Sequence, residues 1–164
     1  MDDKIIISNR SALSAKYTPA GIAKIKASID ALIAADKARG IATRFVYVND
    51  AATMKRYGGK AVSTAKDPSQ NKAAVDAIFK SANPAYLILL GAIDVIPHQD
   101  LSNPLYTKDD DDDKYAWGDL PYACDAAYSR DIANFRGPTR VVGRLPDGFY
   151  PLRVCPRRRP ISSG

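Results

Sequence analysis

The chain's one histidine, His98, stands in "GAIDVIPHQDL" between two aspartates, Asp94 and Asp100. An imidazole held by a carboxylate is the pairing that general-base chemistry uses, the carboxylate fixing the tautomer and orientation of the ring. Cys124 and Cys155 are the two thiols that such a base would activate. Their surroundings argue against it. "PYACDAAY" offers Cys124 neither a helix N-terminus nor a basic neighbour to lower its pKa, and Cys155 lies in an aperiodic segment. A loop histidine bonded to backbone or to a flanking aspartate is therefore the favoured reading. All 18 acidic residues are aspartates, so no mechanism in this chain rests on a glutamate base.

The second chemical feature is the aspartate run Asp109–Asp113, within "KDDDDDKYAW". Calcium takes several hard oxygen ligands, and Asp109, Asp111 and Asp113 are the candidate metal ligands. Neighbouring side chains of a run diverge, however, and Asp-x-Asp spacing closed by a glycine turn is absent. Asp110–Lys114 also coincides with a cleavage linker used in engineered fusions. A solvated acidic loop tip is the favoured reading, anchored by Pro104-Leu105-Tyr106 and Tyr115-Ala116-Trp117. Other motifs are missing. Gly58-Gly59-Lys60 lacks the upstream glycine and the following Ser or Thr of a phosphate loop. No Gly-x-Gly-x-x-Gly follows the first strand, and there is no Gly-x-Ser-x-Gly elbow.

The elements that must position these residues follow from periodicity. Lys4–Ser8 ("KIIIS") has the β-branched run of a buried parallel strand. Thr18-Pro19 opens a helix, with Ile22, Ile25, Ile29, Leu32 and Ile33 on one face and Gly40 at its end. Ala42–Val48 is the second strand, and Asp50 caps a short helix reaching Tyr57. Asp67-Pro68 opens a further helix with Ala74, Ile78 and Phe79 inward, and Ala85–Leu90 is the third strand. Alternating strands and helices with short joints predict an α/β three-layer sandwich around a mostly parallel four-stranded sheet. From Gly91 to Pro138 periodicity disappears. The spaced aromatics Tyr106, Tyr115, Trp117, Tyr122 and Tyr128 predict an ordered excursion packed on the sheet. Thr139–Val142 is the fourth strand.

The totals agree with one domain. The 164 residues are 46% hydrophobic and 26% charged, and no apolar run approaches the ~18 residues of a membrane helix. "MDDKIIIS" lacks the basic start and long apolar stretch of a secretory signal, and two cysteines make no disulfide framework. A cytoplasmic setting without membrane contact is expected. Much of the net charge of +6 comes from Arg153, Arg157, Arg158 and Arg159. Charge confined to a tail is not the spread basic face of a nucleic-acid-binding domain, so that partner is disfavoured.

Three stretches, "AYLILLGAIDVIPHQD", "GDLPYACDAAY" and "TRVVGRLPD", stand in an order that resembles the gingipain family of cysteine peptidases, relatives of the caspases in clan CD. Gly91, Asp94, Pro97, Asp119, Tyr122, Gly143, Arg144 and Pro146 carry the match, which covers Ala85–Asp147. The resemblance implies a caspase-like doubly wound α/β fold and peptide-bond hydrolysis by a histidine–cysteine dyad. It places the dyad in a second subdomain downstream of the Gly-Arg strand, in apolar runs leading to His-Gly and to Cys. Here His98 is followed by Gln99 and no apolar strand leads into Cys124. No catalytic residue carries over.

The expected organisation is an N-terminal gingipain-like subdomain over 1–147 and a basic, unstructured tail over 148–164. "GFYPLRVCPRRRPISSG" has the composition of GC-rich DNA read out of frame, which points to a frameshifted or truncated hydrolase. The expected partners are the missing C-terminal catalytic subdomain and, in the joined form, a peptide or protein substrate; no cofactor is expected. The alternative is a non-enzymatic binding module whose acidic, aromatic loop 94–128 takes calcium or a basic partner. Translating the encoding DNA beyond codon 147 in the other two frames should reveal an apolar run ending in His-Gly and another ending in Cys. Finding neither removes the frameshift.

Overall fold

The computed structural model describes residues 2–107 and 112–146. A strand of three successive isoleucines is stable only when both of its faces are covered, and the chain arranges this around strand β1 (Lys4–Ser8). Ile5 and Ile7 point to one side and Ile6 to the other, all buried. β1 lies in a four-stranded, fully parallel sheet with β2 (Thr43–Tyr47), β3 (Tyr86–Leu90) and β6 (Val141–Leu145), in the order β2-β1-β3-β6. The chain winds outward from β1 first to β2, then back across it to β3 and β6. This is the doubly wound pattern.

Helix α2 (Pro19–Ala38) packs Ile25, Ile29, Leu32 and Ile33 against Ile6, Phe45, Ile88 and Leu90 on one face. The other face takes Leu13 of α1 (Arg10–Lys16), Met54 of α3 (Ala51–Arg56), and Ala74, Val75 and Ile78 of α4 (Pro68–Ala82). The sheet therefore has helices on both sides, as the alternating pattern predicts. Local chemistry sets the helix starts. The side chains of Asn9, Thr18, Asp50 and Asp67 each accept a backbone N–H of the first turn, and Pro19 and Pro68 occupy positions where no N–H is needed.

Several elements differ from the sequence reading. α1 was not foreseen, because seven residues with one buried position, Leu13, carry no periodic signal. The fourth strand runs Val141–Leu145 rather than Thr139–Val142, so Gly143 and Arg144 belong to the sheet, opposite Ile88 and Leu89 of β3. The 91–138 excursion is ordered where described. β4 (Gln99–Ser102) and β5 (Tyr115–Gly118) form an antiparallel pair, followed by 3-10 turns at Leu120–Ala123 and Ile132–Asn134. Its Tyr122 enters the main core, while Leu101, Cys124 and Phe135 make a small cluster of their own. The flanks of the aspartate run do not anchor it by burial, since Leu105, Tyr106 and Trp117 are exposed. Asn103 ties them instead, its Nδ2 donating to the Asp113 carbonyl and its backbone N–H to that of Lys114. Asp109, Asp111 and residues 147–164, including the tail, lie outside the described residues. Among those described, no helix is long and apolar enough to cross a membrane.

Asp36, near the end of α2, accepts Lys4 Nζ at 2.8 Å and Thr43 Oγ1 at 2.7 Å, joining the helix to β1 and β2. The bond from Lys4, and then that from Thr43, hold its pKa below the ordinary 3.8. A carboxyl more acidic when folded binds fewer protons than in the unfolded chain. Its stabilisation is thus complete above the unfolded pKa and is lost as pH falls through the folded one. Asp36→Asn should flatten the acid limb of a stability-versus-pH curve measured by urea unfolding. An unchanged limb would detach that acid sensitivity from Asp36.

Candidate functional site

The carboxyl ends of β3 and β6 are where a sheet of this winding gathers its loops. Arg144, near the end of β6, points into them. Its Nη1 donates to the carbonyls of Gly91 and Ile96, both at 2.8 Å, while Nε and Nη2 grip both carboxylate oxygens of Asp119 at 2.7 and 2.6 Å. A guanidinium is a flat fork of donors, and here every arm has an acceptor. The loop it holds can form only because residue 91 is glycine. Gly91 has φ +126°, and a Cβ there would lie 2.5 Å from that of Val95.

Five of the eight residues in the family-like pattern meet in this web. Besides Gly91, Asp119 and Arg144, the Tyr122 hydroxyl donates to the Pro97 carbonyl at 2.8 Å. Burial pushes the Tyr122 pKa up, keeping the hydroxyl a donor. Gly143 lies beside Ile88, at a distance where a Cβ would make ordinary contact, and Pro146 follows the end of β6. Asp94 is turned elsewhere, to Lys16 Nζ at 2.9 Å.

His98 does not pair with its neighbours in sequence. Asp100 is taken by Tyr128 Oη and by Arg130 Nε, each at 2.8 Å, and the carboxylate that His98 Nε2 faces is Asp119, 3.9 Å away. That separation exceeds a hydrogen bond, and Asp119 is already held by Arg144. Neither the disfavoured base–carboxylate unit nor the favoured bond from His98 to a flanking aspartate is formed, because Asp94 is held by Lys16 and Asp100 by Tyr128 and Arg130.

Cys124 does have basic neighbours, supplied by distant parts of the chain. Lys72 of α4 and Arg140, just before β6, both donate to its backbone carbonyl, at 3.2 and 2.7 Å. Their charges favour a thiolate, but burial outweighs them and the thiol pKa is raised. Lys72 and Arg140 also enclose the Asp76 carboxylate. Lys72 Nζ lies 2.6 Å from both of its oxygens, Arg140 Nη2 bonds one of them, and Arg140 Nε donates to the Tyr122 carbonyl at 2.7 Å. Burial lowers the Lys72 pKa against the pull of Asp76. This trio fastens α4, the 3-10 turn and β6 together, and its chemistry is structural. No short motif announced it, since Lys72 and Asp76 read as an ordinary (i, i+4) helix pair.

Among the described residues, no group of three or more His, Cys, Asp or Glu side chains is placed to hold a metal ion. Asp113, the one candidate ligand within them, lends its backbone carbonyl to Asn103. Comparison with protein-family models, with curated proteins and with solved structures gives no match.

Gly91→Ala should lower stability by about 2–5 kcal/mol, from the Val95 clash together with the unfavourable backbone angle. Arg144→Lys keeps the charge but cannot fork, and should cost about 1–3 kcal/mol. Urea unfolding measures both; a neutral Arg144→Lys would mean that charge alone holds the loop.

Proposed function

We propose that this chain is the supporting α/β half of a gingipain-like cysteine peptidase, without the histidine–cysteine dyad and inactive by itself. The observation that carries the reading is a sheet covered over only part of one face. Parallel sheets are normally buried on both sides. α2 packs against β1, part of β2 and the carboxyl-terminal part of β3, yet Tyr86 of β3 and Val141 and Leu145 of β6, on that same side, are 47%, 58% and 44% exposed. β6 is also an edge strand. An apolar edge and strip of this kind is what a second subdomain, continuing from the Gly-Arg strand, would cover.

The site chemistry supports the same reading. Cys124 is buried with a raised thiol pKa, and His98 faces Asp119, whose carboxylate Arg144 already holds. The Arg144 web fixes the loop after β3, which in the joined form would line the edge of a peptide groove. Peptide or protein substrate belongs to that joined form, as does any hydrolysis. The calcium-binding alternative has no described cluster of ligands in its favour.

The chain alone should neither hydrolyse peptide substrates nor be labelled at Cys124 by a peptidyl acyloxymethyl ketone. Adding a separately produced gingipain-like catalytic subdomain should give a stable one-to-one complex. The double variant Val141→Lys with Leu145→Lys should weaken that complex roughly tenfold or more while leaving the isolated chain folded. Hydrolysis by the chain alone that disappears in Cys124→Ser would overturn the proposal.

A further inference from the structure

The β4–β5 ribbon is a sheet of its own, and one of its edges is open. The Asn103 N–H donates to the Lys114 carbonyl, so these two face each other as a hydrogen-bonded pair. Counting along the register, Leu101 with Ala116 and Gln99 with Gly118 are hydrogen-bonded pairs as well. The N–H and C=O groups of Tyr115 and Trp117 therefore point the other way, out from β5. Ser102 on β4 follows the same alternation, its N–H turning outward to the Arg130 carbonyl. That bond covers the β4 edge, whereas the outward groups of Tyr115 and Trp117 meet no partner among the described residues. Nothing screens them: Ala116 is exposed, and Trp117 is 59% exposed. An open strand edge of this kind is a template for another strand.

The strand that fits this edge is another copy of itself. With a second copy turned about a two-fold axis at Ala116, Tyr115 of each chain stands opposite Trp117 of the other. Each of these residues offers one N–H and one C=O, so four hydrogen bonds close across the axis and no outward group of β5 is left over. Any other antiparallel register sets one of them against an inward-facing residue or against a residue beyond the strand. The side chains agree. Tyr115 and Trp117 share the ribbon's outer face, their ring centroids 5.7 Å apart, and pairing sets each against an aromatic ring of the second copy. Arg130, anchored on Asp100, lies 5.0 Å over the Tyr115 ring and steadies it. Ala116, on the other face, meets only its own counterpart, so the backbones approach without obstruction. Asp119 leaves the strand direction at ψ −6° with its carboxylate held by Arg144, and so does not stand against Asp113.

We propose that β5 pairs antiparallel with β5 of a second copy about a two-fold axis at Ala116, joining two ribbons into one four-stranded sheet. So short an edge buries less than the ~1,200 Å² of a stable interface, and the dimer is correspondingly weak. Sedimentation equilibrium of the full chain, from about 20 μM to about 1 mM, should show the mean mass rising from 17.8 kDa toward twice that. Trp117, the one tryptophan, should shift its emission to the blue over the same range. Ala116→Lys and Ala116→Asp change an exposed residue, leaving the fold intact, and each sets like charges face to face across the axis. Both should stay monomeric when alone and recover the association when mixed one to one. Val141→Lys with Leu145→Lys should associate as the unmodified chain does. The proposal falls if the mass stays at 17.8 kDa up to about 1 mM, if either Ala116 variant alone associates like the unmodified chain, or if their mixture stays monomeric. It falls also if the Val141 and Leu145 double variant abolishes association, which would assign self-association to the open strip beside β6. The other outcomes leave the peptidase reading untouched, since it rests on that strip and not on β5.

Discussion

Arg144 cannot leave water unless its donors are met, and meeting them dictates the carboxyl rim of this protein. Two of its acceptors are carbonyls of the loop after β3 and the other two are the oxygens of Asp119, twenty-five residues before it in the chain. Satisfying one guanidinium thus joins the loop after β3, the turn that precedes Tyr122, and β6 itself. The glycine at 91 is part of the same requirement. A carbonyl aimed at Arg144 from a backbone at φ +126°, with Val95 against its Cα, leaves no room for a side chain. Tyr122 then drops into the core and donates to Pro97, which closes the excursion onto the sheet.

The Lys72–Asp76–Arg140 trio repeats this logic in a drier place. Buried ion pairs often contribute little net stability, because desolvation offsets their attraction, but breaking one strands a charge. The trio therefore acts chiefly as a constraint on arrangement: α4, the 3-10 turn and the start of β6 must come together, or three charges lose their partners. The same packing keeps Cys124 a buried thiol. Two cations beside its carbonyl do not make it a nucleophile, because burial is the larger influence on its sulfur.

Between them the two charged webs pin the long excursion at both ends of β6 and leave the other side of that strand open. The excursion packs on the α4 side, with Tyr122 among residues of α4 and β3. α2 reaches only the β1 side of the opposite face. The apolar strip left over is what the proposal of a second, catalytic subdomain rests on.

β1, β2 and β3, the two long helices and their caps were legible in the residues, because they depend on local matters: β-branched runs, three-and-four spacing, and Asp-Pro or Thr-Pro at helix starts. The chemistry was not. His98 sits between two aspartates in sequence, yet Asp94 goes to Lys16 and Asp100 to Arg130, and the nearby carboxylate is Asp119. Cys124 has no basic residue beside it in the chain and two beside it in space. Arg144 and Asp119 stood out only as members of an ordered pattern, with no sign that they form one fork. Sequence spacing determines which residues share a helix face or a strand face. Which charges meet is decided only when the sheet brings distant segments together, since a buried charge takes whichever partner the packing delivers.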